Sequence, residues 1–420
     1  MNVLILTFGS RGDVQPYIAL GKALEARGHD VTLSTGQGFE TDIEAHGLRA
    51  APLSVDVRAL LQAPEMQKAL RSISARFRAY RASRGMARRL LDDMWAVARE
   101  HKPDVIVYHI KAYAAPDIAE ALQAVAVPSF QIPGFVPTGA FPSPLLPVPD
   151  LGAFANRLSH KALLGIMRLA SSRMIKAWRR ATLGLGPAKR WAPYAGFAPG
   201  GRAVDRLHGY SRHVLPMPTD WGAEDRVTGY WFLDQATGWE PPQPLLRFLD
   251  QGPPPVYVGF GSMPAEDGER LTRLVLDALE RSGQRGVLAT GWGGLDATAN
   301  SDRVHVLDRA PHDWLFPRCA AVVHHGGAGT THEGLRWGRP SIICPVFGDQ
   351  PFWGRRVMEL GAGPTPLPQK RLTAEGLAAA LEAVKSPAMA SRAAEIGAAI
   401  REEPGAEAAA AAIDALAAAR

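Results

Sequence analysis

Ala320-Ala321-Val322-Val323-His324-His325-Gly326-Gly327-Ala328-Gly329-Thr330-Thr331-His332-Glu333 is an apolar run that breaks into glycines and then opens what reads as a helix. A strand that feeds a helix through a glycine-rich turn is a building unit of a doubly wound parallel sheet. Such a turn exposes backbone N–H groups at the positive end of the helix macrodipole, where a phosphate can be held without a metal. The same kind of turn also occurs in α/β proteins with no ligand there, and its histidines then only cap or pack. Sixteen residues after Glu333, past a second apolar run, stand Asp349 and Gln350. An acid and an amide at the carboxyl end of a strand are placed to grip hydroxyl groups beside that phosphate. Together the two stretches point to a nucleotide-sugar pocket.

Outward from this stretch the strand–turn–helix pattern repeats. Val3 to Phe8 predicts a buried strand, Gly9-Ser10-Arg11-Gly12-Asp13 a turn, and about Val14 to Arg27 a helix that ends at Gly28. Val31 to Ser34, Asp104 to Tyr108 and Pro128 to Gln131 predict further short strands. Six prolines between Pro133 and Pro149 exclude regular structure, and Phe135 and Phe141 among them favour the wall of a pocket. A helix is predicted from Leu151 to Thr182, with strands around Ala203 to Tyr210 and Arg226 to Phe232. Thr237 to Pro244, with three prolines, reads as a linker. Val256 to Phe260 then restarts the pattern, followed by a turn at Gly261-Ser262-Met263-Pro264 and a helix from about Glu266 to Ser282. Strands are expected at Gly286 to Ala289, Val304 to Leu307 and Ser341 to Cys344, and the Ala-rich chain after Ser386 predicts packing helix. The expected class is α/β: two doubly wound Rossmann-like domains facing across a cleft. Their bounds are 1–236 and 245–400, with a linker at 237–244 and a helical tail at 401–420.

Bulk properties fit that plan. The chain has 420 residues, long for a single core, with 46% hydrophobic and 21% charged residues, a balance typical of globular proteins. No run of about 18 apolar residues offers a bilayer span, and Met1 to Thr7 is short and uncharged for a secretory leader, so a cytoplasmic location is expected. Cys319 and Cys344, each in or beside an apolar run, read as reduced core residues. The net charge of +6 is uneven: Lys68 to Lys102 carries ten Lys or Arg against three acids, and Arg157 to Arg190 carries nine with none. A basic, partly amphipathic face is usually just solvated, but it could also rest on an anionic membrane. No nucleic-acid-binding module accompanies the charge, so nucleic acid is not expected as a partner.

Three segments, Gly9 to Pro16, Val256 to Met263 and Val323 to Gln350, together resemble the inverting glycosyltransferases of the two-Rossmann-domain (GT-B) type. Within them the chain is similar to the sterol and glycopeptide glucosyltransferase-like group related to plant UDP-glycosyltransferases. Trp231-Phe232-Leu233-Asp234 and the loop from Ile132-Pro133 to Pro142 resemble the sterol-type branch. The resemblance implies that the C-terminal domain binds a nucleoside-diphosphate sugar, with UDP-glucose as the expected donor. His325 and the amides of Gly327, Ala328, Gly329 and Thr330 would hold the diphosphate, with Ser262 reaching a phosphate oxygen. Glu333 would accept from the ribose hydroxyls, and Asp349 and Gln350 would hold the sugar. Ala310 and His312 would give backbone contacts to the base, where Arg309 replaces the stacking tryptophan of plant members. His324 and His332 are read as structural, packing and solvent-facing respectively; Trp314 is read as packing, and Gly291-Trp292-Gly293-Gly294 as lying near the nucleotide.

Asp13 occupies the position where many relatives carry histidine and the glycopeptide and sterol types carry aspartate, which implies a general base. From the residues alone a helix N-cap before Val14 is the stronger reading, and the motif around it shifts the balance toward catalysis. Burial is expected to raise its pKa and make it a better base. Acceptor contacts are expected from Ser10, His109, Lys111, Phe135 and Phe141, whose apolar and aromatic surroundings suit a lipophilic alcohol such as a sterol, hopanoid, polyketide or other lipid. No Asp-x-Asp motif occurs, so neither a metal site nor a cofactor beyond the sugar-nucleotide co-substrate is expected. A nucleotide-sugar epimerase or hydrolase of the same fold, and a non-catalytic nucleotide-sugar or lipid binder, remain as alternatives.

Overall fold

The computed structural model describes residues 1–417 apart from 57, 58, 60–83, 147, 189–193, 262–267 and 292–299. Contacts divide the chain into two units: Met1–Tyr210 with Met217–Leu233 and Pro404–Arg420, and Ser211–Pro216 with Asp234–Glu403. The chain therefore changes unit more often than a single linker and a free tail would require. The expected linker is also shorter than 237–244, because a helix already starts at Gln243, with Pro244 in its first turn where a missing N–H costs nothing.

In the first unit, strands β1 (Asn2–Leu6), β2 (Asp30–Gln37), β3 (Arg49–Asp56), β4 (Val105–His109), β5 (Val125–Phe130), β6 (Arg206–His208) and β7 (Asp225–Val227) form one sheet. Its order is β3-β2-β1-β4-β5-β6-β7 and every pairing is parallel. Parallel neighbours need crossovers, supplied among the described residues by α1 (Arg11–Glu25), α2 (Glu40–Glu44), α3 (Arg84–His101), α4 (Ala115–Leu122) and α5 (Ala153–Thr182). Helices on the sheet faces explain why β1, β4 and β5 are near-continuous apolar runs. Pro133 to Pro149 contains no regular element among its described residues.

In the second unit, β8 (Val256–Gly259), β9 (Gly286–Ala289), β10 (Val304–Leu307), β11 (Ala321–His324) and β12 (Ser341–Ile343) pair in the order β10-β9-β8-β11-β12, again all parallel. Its helices are α6 (Gln243–Asp250), α7 (Gly268–Arg281), α8 (His312–Leu315), α9 (Ala328–Arg336), α10 (Gln350–Glu359), α11 (Ala374–Ala383) and α12 (Pro387–Arg401). The last helix, α13 (Ala406–Ala417), belongs to the first unit, where Ala409, Ala410, Ala412, Ile413 and Leu416 join the core around Val14, Leu20 and Leu24.

Both sheets reverse their winding once, between β1 and β4 and between β8 and β11. Ligands of open α/β sheets bind outside the carboxyl ends of the strands at such a reversal. The chain that leaves β1 runs into Gly9 to Asp13, and the chain that leaves β11 runs into His325 to Thr330.

Candidate functional site

In the first unit four residues converge beyond the ends of β1 and β4. Ser10 is the N-cap of α1 and Asp13 stands at its third position, so Asp13 is not the N-cap that the turn suggested. Its carboxylate reaches back instead: Oδ2 accepts from the Ser10 amide at 2.7 Å and the Ser10 hydroxyl at 3.1 Å. Oδ1 accepts from Lys111 Nζ at 2.8 Å, and His109 Nε2 lies 3.5 Å from the same oxygen. Gly9, with φ +145°, permits this grouping, since a Cβ there would lie 2.1 Å from Asp13 Oδ2 and 2.6 Å from Lys111 Nζ.

The electrostatics reverse one expectation. Burial does push the Asp13 carboxyl upward, but the Lys111 ammonium first, then the neighbouring His109 and the Ser10 N–H, outweigh it and hold its pKa below the ordinary value. Burial pushes His109 down to about 3, so at neutral pH it is an uncharged imidazole, suited to donating from Nε2. The working cation beside Asp13 is therefore Lys111. His109 Nδ1 and Gln131 Nε2 are buried without a hydrogen-bond partner among the described residues.

A polar network beneath this cluster was not anticipated. Tyr17 meets Ser129 Oγ at 2.9 Å, donates to Gln131 Oε1 at 3.0 Å, and packs edge-on against His109. Tyr17 lies one helical turn after Asp13, and that spacing was the available signal. Phe135 and Phe141 do not join the cluster through any described contact. Phe135 stacks on Phe130, and Phe141 packs against His160, whose two ring nitrogens face the carbonyls of Gly134 and Phe141.

In the second unit the His325 imidazole is wedged between two glycine turns. A Cβ on Gly261, after β8, would lie 2.7 Å from its Cε1, and one on Gly327, the N-cap of α9, 2.6 Å from its Nε2. Burial lowers His325 to about 4, so it is neutral near pH 7, and its Nδ1 is buried with no described partner. Gly326, at φ +90°, turns the chain from β11 into α9 and abuts the backbone of Gln350, so the two halves of the motif are in contact. His324 packs in the core and accepts from the Gly326 amide at 3.1 Å.

Glu333 follows one and a half turns into α9. Its Oε1 accepts from Trp337 Nε1 at 3.1 Å with Arg336 at 3.5 Å, and burial, only partly offset by these two, raises its pKa to about 7. Asp349 Oδ2 accepts from Trp353 Nε1 at 2.7 Å, and Gln350 Oε1 caps the amides of Val346 and Phe347. Both side chains thus shape their own loop. Arg309 is exposed and Ala310 half-buried after β10. His312 opens α8, stacks on Phe316 at 4.3 Å, and sits on a helix that packs beside α9. Trp314 packs against Trp239. His332 is fully buried rather than solvent-facing, with Nδ1 bonded to the Ala328 carbonyl and Nε2 accepting from the Ser211 amide, because α9 is enclosed on that side. Ser262 and residues 292–294 lie outside the described residues.

Residues 3–138 match the glycosyltransferase family 28 N-terminal domain, and residues 278–416 match the erythromycin biosynthesis protein CIII-like C-terminal domain. Two sterol 3-beta-glucosyltransferases of Arabidopsis thaliana are each 36% identical, over 96% and 97% of this chain. The chain belongs to the sterol 3-beta-glucosyltransferase family of glycosyltransferases. It spans 64% and 67% of the length of those two family members. The glycosyltransferase VinC, solved in complex with DTDP, shares the family's GT-B fold with a TM-score of 0.64 at 22% identity, covering 97% of each chain. Among the described residues no group of three or more His, Cys, Asp or Glu could hold a metal ion, and no helix is long and apolar enough to cross a membrane.

Proposed function

We propose that the protein transfers glucose from UDP-glucose to a hydroxyl of a sterol or similar lipophilic alcohol, with inversion. The observation that carries this reading is His325, held by glycines on both sides at the β8/β11 reversal, with a ring nitrogen that has no partner among the described residues, beside the half-buried residues that open α9. Amides and a neutral imidazole donate to diphosphate oxygens and stabilise charge on the leaving group by preorganised dipoles. Glu333 then takes the ribose hydroxyls, Asp349 and Gln350 take sugar hydroxyls, and Arg309, Ala310 and His312 line the base. Asp13 removes the acceptor proton as the oxygen attacks the anomeric carbon, and the diphosphate departs from the opposite face. A carboxylate held below its ordinary pKa is a weak base toward an alcohol, so proton transfer comes late, as the C–O bond forms. Ser10 and Lys111 hold the carboxylate in place, and His109 faces the same oxygen. Phe135 and Phe141 shape the acceptor loop. Relatives named for sterol glucosylation, similar over nearly all of this chain, support the acceptor class.

The test is an array of UDP- and dTDP-sugars against sterols, hopanoids, polyketides and fatty alcohols, read by mass spectrometry. A product heavier than a sterol by one hexose is expected with UDP-glucose. Free sugar or an isomerised donor formed without acceptor would make the protein a hydrolase or epimerase, and nucleotide binding without turnover across the array would make it a binder.

A further inference from the structure

Helix α5 buries one face and leaves an apolar stripe on the other uncovered. Asn156, His160, Leu163 and Trp178 point into the unit and are buried. On the other side Phe154 is 83% exposed, Leu158 54%, Ile166 61% and Leu169 80%, with Leu151 just before the helix at 71%. At 3.6 residues per turn these helical residues fall within about a third of the circumference, roughly opposite the buried set. Exposed apolar side chains are ordinary when scattered, but a contiguous stripe on one helix marks a contact surface. From Phe154 to Leu169 the stripe runs for about 22 Å at 1.5 Å per residue.

The charges say what the contact is. The helix carries seven Lys or Arg and no Asp or Glu. Arg179 is buried in ion pairs with Asp117 and Glu120, and Arg157 pairs with Asp220. Lys161, Arg168, Arg173, Lys176 and Arg180 are exposed around and beyond the stripe. A second copy of the helix would bring cation against cation with no acid on either helix to compensate. An anionic lipid surface supplies what the helix lacks, a negative plane for the cations and acyl chains for the phenylalanine and leucines.

We infer that α5 docks the protein onto anionic bilayers, lying in the interface plane with Phe154, Leu158, Ile166 and Leu169 immersed and its cations against the headgroups. The inference does not depend on the reaction proposed above, and its test reads binding rather than turnover. The full chain is floated with vesicles of phosphatidylcholine alone or mixed with phosphatidylglycerol, at low and high salt. Flotation with the phosphatidylglycerol vesicles is expected, weakened by salt, and reduced roughly tenfold or more in Phe154→Gln/Leu169→Gln. Because both side chains are exposed, that variant should melt with the wild type, which separates lost docking from lost fold. A Lys161→Glu/Lys176→Glu variant should lose its preference for the anionic vesicles. Wild-type protein that stays with the soluble fraction, or a Gln variant that floats as well as wild type, overturns the inference. So does a wild-type dimer in solution that the Gln substitutions convert to monomer, since the stripe would then serve a second copy.

Discussion

Asp13 shows how a residue can be legible in kind and not in state. Its place after a strand and before a helix was readable, but the N-cap went to Ser10, because a cap is set by which residue leaves helical geometry, and several polar residues in a row compete for it. Its pKa was not readable, because the direction depends on Lys111, nearly a hundred residues away in sequence and 2.8 Å away in space. Asp13→Asn should lower turnover by roughly 10²–10⁴-fold, the usual worth of a general base, with nucleotide affinity retained; isothermal calorimetry and steady-state rates check both halves, and near-normal turnover would remove Asp13 from the chemistry. Lys111→Met should act differently. As the proposed base, Asp13 must be ionised; Lys111 favours the ionised form, and removing it lets burial raise the carboxyl, so the acid limb of the kcat/KM profile should move to higher pH while alkaline rates change least. A profile that stays in place would mean that Lys111 serves the acceptor rather than the carboxylate.

Elements were legible where burial on both faces leaves a continuous apolar run, as in β1, β4, β8 and β11, and illegible where it does not. Strand β3 was missed because it is an edge strand with alternating burial and carries Pro52, which an edge tolerates and an interior strand does not. Helix α9 was placed from its glycines, but the burial of His332 within it depends on Ser211, which arrives from a distant part of the chain. The start of α9 also sets an expectation about metals. In the proposed mechanism its amides and His325 take the place of the divalent cation of transferases with an Asp-x-Asp motif, so activity should be unchanged by excess EDTA in an end-point assay. Loss on chelation that Mg²⁺ restores would show that these donors do not suffice.

At the scale of the molecule, the doubly wound order of each sheet followed from strand–helix alternation, but the path of the chain between units did not. Nothing in the Ala-rich composition of α13 names its partner; the pairing is visible only in space, where α13 lies on α1 and Asp414 bonds His29 at 2.5 Å and pairs with Arg27. Ile413 is fully buried there. Ile413→Ala should destabilise the protein by roughly 2–5 kcal/mol in chemical denaturation, although residue 413 is far in sequence from the unit it stabilises. A change within about 0.5 kcal/mol would mean that the tail adds nothing to that core. The return of this helix also governs how hybrids with related transferases must be cut. A single crossover in the interdomain segment would transplant residues 404–420 along with the foreign half and seat a mismatched helix on α1. Two crossovers, the second just before Pro404, would exchange Asp234–Glu403 and leave the recipient's own clasp intact.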